Sequence, residues 1–153
     1  MTVPITKRRK TMAKNNRPAG IMEDFTVNLK IKISALWISL MFCYTYADIL
    51  GFYAPGNLEE LISGEIAGIQ MTQSLLLGSA ILMIVPSLMI FLSLVLKASL
   101  NRWVNIIAGI VYLIVLGSTF LTGRNPAYYL LFAAVKALIL GLIVWLAWKW
   151  PKR

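Results

Sequence analysis

Four apolar stretches dominate the chain, and each is long enough to cross a lipid bilayer. They cover about residues 33–52, 69–96, 103–121 and 126–150, with short polar segments between them. Only helices and closed barrels satisfy their backbone groups in lipid, and about 20 apolar residues make one helical span. Because short connections make successive helices antiparallel neighbours, the sequence predicts an all-α fold, a four-helix transmembrane bundle.

The overall composition favours a membrane setting. Hydrophobic residues make up 59% of the 153 residues, charged residues make up 14%, and the mean hydropathy is +0.75. Soluble domains are nearer ~45–50% apolar and ~25% charged. The net charge of +9 comes mainly from basic residues beside the spans. Such residues are the usual topology signal and attract anionic lipid, so membrane lipids rather than nucleic acid are the expected partners.

The chain divides into a polar beginning and a membrane domain. Residues 1–21 are basic and lack apolar periodicity, which predicts a disordered segment, and residues 22–153 contain the spans. Translation from Met12 or Met22 instead of Met1 is a hypothesis that N-terminal mass spectrometry of the native protein tests.

The distribution of basic residues predicts the orientation. Thirteen Lys and Arg lie in the N-terminal segment, the second loop and the C-terminal segment. The first loop holds none, and the third loop holds only Arg124. Because cytoplasmic loops carry the excess of Lys and Arg, both termini are expected in the cytoplasm.

The residue types that are missing exclude several kinds of chemistry. The chain has no histidine, and Cys43 is its single cysteine. These absences remove His-ligated haem, His-rich zinc sites, intrachain disulfides and CxxC redox motifs. No nucleophile–base pair or glycine-rich phosphate loop is evident in the sequence. We therefore expect no cofactor and no metal, and the chain is not expected to be an enzyme.

Asp48 is the only acid inside the apolar stretches, and Lys136 in the fourth stretch is the only charge between Arg124 and Lys149. Ionisable residues in membrane spans are costly and usually mark a partner, a cavity or a function. At 1.5 Å per residue, the two lie roughly 8 Å and 12 Å below the same surface. Their side chains lean towards the N-termini of antiparallel helices, so the charged groups converge on one level. The pattern predicts a buried polar site containing both.

Three further polar residues can complete the hydrogen bonds that a buried ion pair needs. Tyr44 lies one turn before Asp48 and shares its face, Gln73 lies near the outer end of the second span, and Tyr112 lies on the third span. The alternative is that Lys136 and Asp48 reach the interface and water separately, without touching.

Two features of the middle spans concern packing. Pro86 predicts a kink in the second span, which membranes tolerate when neighbouring groups pair with the freed carbonyl. Small residues, among them Ser74, Gly78 and Gly109, allow close helix approach, either within one chain or between chains.

The second loop is predicted to carry interface contacts. Lys97, Asn101 and Arg102 form a predicted polar turn at the expected cytoplasmic face, and Trp103 begins the third span directly after it. Basic and indole side chains at that level bind anionic lipid or act as plain interface anchors.

Several motifs occur together along the chain: Tyr44-Thr-Tyr-Ala-Asp-Ile-Leu50, Gly68-Ile-Gln70, Ala80-Ile-Leu-Met83 with Pro86, and Asn101-Arg-Trp-Val-Asn-Ile-Ile-Ala-Gly109. The combination resembles a family of small bacterial four-span membrane proteins that carries only a domain-of-unknown-function label. The resemblance covers about residues 29–151. It implies the architecture and a bacterial inner-membrane setting, and it implies no activity.

The predicted function is that of a multi-pass inner-membrane protein with a buried polar site, used for small-solute or ion transport or for ligand binding. The alternative is a non-catalytic accessory or regulatory subunit in which the Asp48–Lys136 pair is structural. A homo-oligomer and an unknown membrane partner both remain open.

Overall fold

The structure, a computed structural model, describes residues 26–66, 68–122 and 126–150 and is mainly helical. The predicted disordered segment at residues 1–21 and the loop residue Arg124 lie outside the described residues. The elements in chain order are α1 (Leu29–Tyr53), α2 (Asn57–Ile62), β1 (Glu65–Ile66), β2 (Ile69–Gln70), α3 (Gln73–Val95), α4 (Ala98–Thr119), a 3-10 turn (Phe120–Thr122) and α5 (Ala127–Trp148).

Four of the described helices, α1, α3, α4 and α5, are long and apolar enough to cross a membrane. Helix α1 packs against α3 and α5, α5 also packs against α4, and α3 touches α4 over a smaller area. The prediction of an all-α four-helix bundle is confirmed. The single sheet in the described part of the chain is the antiparallel pair β1–β2, in which Glu65 lies opposite Gln70.

The described charges are sorted between the two ends of the bundle. We call the end with α2 and the β1–β2 pair the hairpin end, and the end with the α3–α4 turn the basic end. The acidic residues lie on the hairpin side: Asp48, Glu59, Glu60 and Glu65. Apart from Lys136, the described basic residues lie at the basic end: Lys30, Lys32, Lys97, Arg102 and Lys149.

Helix boundaries depart from the predicted spans where a polar side chain caps or extends a helix. Helix α1 begins at Leu29, because the side chain of Asn28 accepts a hydrogen bond from the Lys30 amide at 3.0 Å. Lys30, which precedes the predicted span, lies in this helix, and its ammonium donates to the Leu96 carbonyl at 2.7 Å. Helix α3 begins at Gln73, capped by Thr72, because the preceding residues pair with β1.

The predicted turn at Asn101 and Arg102 is wrong, because both residues lie inside α4. Asn101 and Asn105 are one helical turn apart and face the bundle interior, where both are fully buried. The side-chain amide of Asn101 donates to the backbone carbonyl of Ser93 at 2.6 Å. The Trp37 indole donates to the side-chain Oδ1 of Asn105 at 2.7 Å. This network links α1, α3 and α4 near the basic end. Within it, the asparagine side chains form hydrogen bonds with protein groups, whereas in a loop they would form them with water.

Pro86 and Gly109 explain two close helix contacts. Pro86 has no backbone donor, so it leaves the carbonyl of Leu82, four residues earlier, without a helical partner. The Tyr112 hydroxyl of α4 donates to that carbonyl. Elsewhere on α4, a Cβ added to Gly109 would lie 2.6 Å from a methyl carbon of Val144 on α5. Gly109 therefore allows α4 and α5 to approach within one chain.

Candidate functional site

Lys136 lies on the face of α5 that is directed into the bundle. The buried residues of this helix recur at three- and four-residue intervals, Ala133, Lys136, Leu140 and Ile143 among them. That interval brings side chains onto one face of a helix, so the position of Lys136 in the pattern buries it. Its side chain is only 2% exposed.

Two tyrosine rings contact the Lys136 ammonium. Nζ lies 4.4 Å from the ring centroid of Tyr44 on α1 and 5.0 Å from that of Tyr129 on α5. Both distances fall within the range of a cation–π interaction. The sequence pattern does not single out Tyr129, although its spacing of seven residues from Lys136 is two helical turns on one face. The ammonium therefore joins α1 to α5 through aromatic faces.

The predicted direct pair between Asp48 and Lys136 is not formed. In the described part of the chain, no carboxylate oxygen lies within 4.0 Å of the Lys136 ammonium. The Asp48 side chain is exposed and acts on Lys136 only through a longer-range electrostatic interaction. The reason is position along α1 rather than helical phase: Asp48 is only about 40° around the helix from the buried Tyr44, but no residue of α1 beyond Ala47 is buried.

The Tyr44 hydroxyl is a buried polar group without a hydrogen-bond partner among the described residues. The whole side chain is 8% exposed. A buried tyrosine normally finds a partner for its hydroxyl, because an unsatisfied group costs about 1–3 kcal/mol. The prediction that Tyr44 belongs to the polar site agrees with this geometry, but its hydroxyl does not bind Asp48.

The two remaining predicted members of the polar site, Gln73 and Tyr112, have other positions or hydrogen-bond partners. Gln73 is exposed at the first turn of α3, at the hairpin end. Tyr112 is buried near Tyr44, but its hydroxyl is used by the Leu82 carbonyl. The structure thus brings Lys136 together with Tyr44 and Tyr129, and we call these three residues the lysine site.

The three residues predicted to contact lipid are divided by the structure. Asn101 is fully buried in the polar network, so its assignment as a lipid contact is wrong. Trp103 is 54% exposed, and the Arg102 guanidinium carbon lies 5.8 Å from its ring centroid. The same carbon lies 5.7 Å from the ring centroid of Trp148 at the end of α5. The sequence could not place Trp148 here, because the contact joins two helices.

The lysine site contains hydrogen-bond donors and one positive charge, that of the Lys136 ammonium. The ammonium has three donors and no acceptor, and the neighbouring Tyr44 hydroxyl has a free donor. Such a set binds an acceptor, and an anion best of all, because hydrogen bonds to charged groups are the stronger ones.

Four helices long and apolar enough to cross a membrane, with a lysine buried between them, fit a small membrane protein. The chain belongs to the family of unknown function DUF6326, whose model matches residues 21–153. The resemblance read from the sequence motifs is thereby confirmed. Comparison with curated proteins found no match, and comparison with solved structures found none either.

Proposed function

We propose that this protein is a membrane-resident binding protein that holds one small anion at the lysine site. The observation that carries the proposal is the ammonium of a lysine that is only 2% exposed, which has no carboxylate partner among the described residues and lies beside a buried hydroxyl that has no acceptor among them. One anion between these two groups would satisfy both of them. The proposed activity is binding, with no catalytic step.

Energetic magnitudes favour an additional partner for Lys136. Burying an ion costs several kcal/mol even after relaxation of its surroundings. A cation–π contact is worth about 0.5–2 kcal/mol, so the rings of Tyr44 and Tyr129 offset only part of that cost. A bound anion would supply a charge-assisted hydrogen bond and cancel the charge.

The burial of the site restricts the ligand to a small one. Lys136 is 2% exposed and Tyr44 is 8% exposed, so the lysine site leaves little surface for a large ligand. Chloride and the simplest carboxylates, such as acetate, are the class that fits. Because Asp48 acts on Lys136 electrostatically, its negative charge opposes an anion there. Asp48→Asn is therefore expected to strengthen anion binding.

The proposed setting is the inner membrane, with both termini in the cytoplasm and the hairpin end facing outwards. It is supported by the separation of described basic and acidic residues between the two ends of the bundle. A topology reporter fused after Gly56 tests it, and a cytoplasmic signal from that reporter would contradict it. In this orientation the lysine site lies nearer the outer side, which suits a ligand taken from outside.

A second candidate is an accessory or regulatory membrane subunit in which Lys136 is structural. The observation that favours it is the contact of the ammonium with aromatic rings of both α1 and α5. In that case the cation–π contacts fix the register of the two helices, and no ligand is needed.

Thermal unfolding of the purified protein in detergent separates the two candidates. The melting temperature is measured in chloride, acetate or the bulkier gluconate at equal ionic strength. A ligand present at 100 times its dissociation constant stabilises the folded state by about 2.7 kcal/mol. Binding predicts that chloride or acetate raises the melting temperature of the wild type and of Lys149→Met, but not of Lys136→Met.

Tyr44→Phe provides the finer test, because it removes the hydroxyl and keeps the ring. We expect this variant to need a higher anion concentration for the same stabilisation. If all variants respond equally to each anion, binding at the lysine site is refuted. Destabilisation of Lys136→Met together with an absent anion response would favour the structural role.

A further inference from the structure

A second polar cluster lies at the basic end, far along α5 from the lysine site. Its centre is Arg102 in the second turn of α4, whose guanidinium contacts the rings of Trp103 and Trp148. Trp148 is 63% exposed, and the next residue, Lys149, holds its ammonium 4.3 Å from the ring centroid of Trp145. We call Arg102, Trp103, Trp148 and Lys149 the arginine cluster.

Arg102 has an unsatisfied donor. Its Nε is buried and has no hydrogen-bond partner among the described residues. No described carboxylate oxygen lies within 4.0 Å of the guanidinium, and the described acids are on the hairpin side of the bundle. Side chains lean towards the N-terminus of their helix, so Arg102 leans towards the α3–α4 turn. A planar guanidinium with free donors matches a phosphate group in a bidentate geometry.

We propose that the arginine cluster binds the headgroup of one anionic phospholipid. The lipid phosphate accepts hydrogen bonds from the Arg102 guanidinium, and the Lys149 ammonium adds positive charge beside it. The exposed indole rings of Trp103 and Trp148 lie against the glycerol and upper acyl region, where an apolar body and a polar edge are both accommodated.

Charge complementarity selects a lipid rather than another occupant. Every described charge at the basic end is positive, and the exposed surface beside the cluster consists of helix faces apolar enough to lie in lipid. The α4 N-terminus adds backbone donors, because no side chain caps it at Lys97. This site is independent of the anion proposed at the lysine site, since the two use no common residue.

Native mass spectrometry of the purified protein tests the lipid site directly. The probe is phosphatidylglycerol titrated into phosphatidylcholine mixed micelles near 0.15 M salt, where diffuse attraction is screened beyond about 8 Å. The wild type is expected to retain one phosphatidylglycerol molecule. Arg102→Gln is expected to weaken retention about tenfold, because charge-assisted hydrogen bonds are lost. Lys32→Gln is the matched control, since this exposed lysine lies at the same end and makes no cation–π contact with any aromatic ring of the described residues.

Two further variants keep the test decisive if Arg102→Gln folds poorly. Arg102→Lys keeps the charge, and we expect weaker retention because an ammonium cannot offer a bidentate edge. Trp148→Leu keeps Arg102 and removes one ring, and retention is expected to fall as well. Circular dichroism establishes that each variant compared is helical.

Three results would overturn the proposal. The first is wild-type retention by both Arg102→Gln and Arg102→Lys. The second is an equal loss in Lys32→Gln, which would indicate diffuse attraction to the basic end. The third is displacement of phosphatidylglycerol by millimolar inorganic phosphate, which would make a free phosphate the ligand.

Discussion

The hydrogen bond between the Tyr112 hydroxyl and the Leu82 carbonyl makes the sharpest prediction about stability. Pro86 deprives this carbonyl of its helical donor, and Tyr112, which is 3% exposed, supplies the replacement from α4. Tyr112→Phe removes only the hydroxyl. The ring keeps its edge-on contact with Trp37 at a centroid distance of 6.0 Å. The substitution therefore isolates one hydrogen bond between α3 and α4.

The expected magnitude follows from the environment of the carbonyl. An unsatisfied buried polar group costs about 1–3 kcal/mol, whereas hydrogen bonds between membrane helices average about 0.6 kcal/mol and reach about 1.7 kcal/mol. Because Pro86 has no amide hydrogen to donate to the Leu82 carbonyl, we place the loss near the upper membrane value, at about 1.5 kcal/mol. Tyr46→Phe, on an exposed tyrosine of α1, is the control and should change stability by less than about 0.5 kcal/mol.

A double-mutant cycle with Pro86→Ala tests the cause. The alanine amide can donate to the Leu82 carbonyl, so the Tyr112 hydroxyl is no longer needed there. Tyr112→Phe should then cost close to nothing in the Pro86→Ala background, giving a coupling energy of about 1 kcal/mol or more. Stability is measured by reversible unfolding in mixed micelles, followed by tryptophan fluorescence. Equal costs in both backgrounds would refute the link between the proline and the tyrosine.

Three other substitutions test the packing, the polar network and the buried charge. Gly109→Ala should destabilise by about 1–3 kcal/mol, because the new Cβ would lie 2.6 Å from Val144, and Val144→Ala should restore most of the loss. Gly117→Ala is its control, since nothing lies within 4 Å of a Cβ there, and an equal loss would remove the steric explanation. Trp37→Phe should cost about 1 kcal/mol in the same unfolding assay, because the indole donor to Asn105 is lost, and an unchanged midpoint would show that this bond contributes nothing. Lys136→Met, measured in gluconate, should leave stability unchanged or raise it by about 1–4 kcal/mol, because replacing a buried ion by an apolar residue removes its desolvation penalty. A loss of several kcal/mol would instead assign Lys136 a structural role.

The membrane helices could be predicted from the sequence because lipid leaves the backbone few choices. The antiparallel bundle follows from four long apolar stretches with short connections. The β1–β2 pair could not be predicted in this way, because it is made of two residues on each strand around Gly68, which adopts a φ of 79°. A two-residue segment such as Ile69–Gln70 is too short to carry a periodicity that separates a strand from the first turn of a helix.

Depth in the membrane was easier to predict than burial by neighbouring helices. The depths of Asp48 and Lys136 follow from counting residues, whereas their contacts depend on where neighbouring helices cover them. Asp48 is one turn after the buried Tyr44 and only about 40° from it around α1, but no residue of α1 beyond Ala47 is buried. Asn101 and Asn105 show the opposite case, in which polar residues are buried although their polarity predicts exposure. Their spacing of one turn signals a shared face, but polarity alone favours a turn over a buried network.

Solid-state NMR of the ammonium tests the proposed anion site most directly. The protein is labelled with 15N at lysine Nζ, and dipolar dephasing of the Lys136 signal is measured with 13C-carboxyl acetate and, separately, with 13C at the aspartate carboxyl. The Lys136→Met variant identifies the signal. A ligand-binding ammonium predicts dephasing by acetate and none by Asp48. Dephasing by the Asp48 carboxyl with no effect of acetate would show that the chain supplies its own counter-ion, and the proposed anion site would be contradicted.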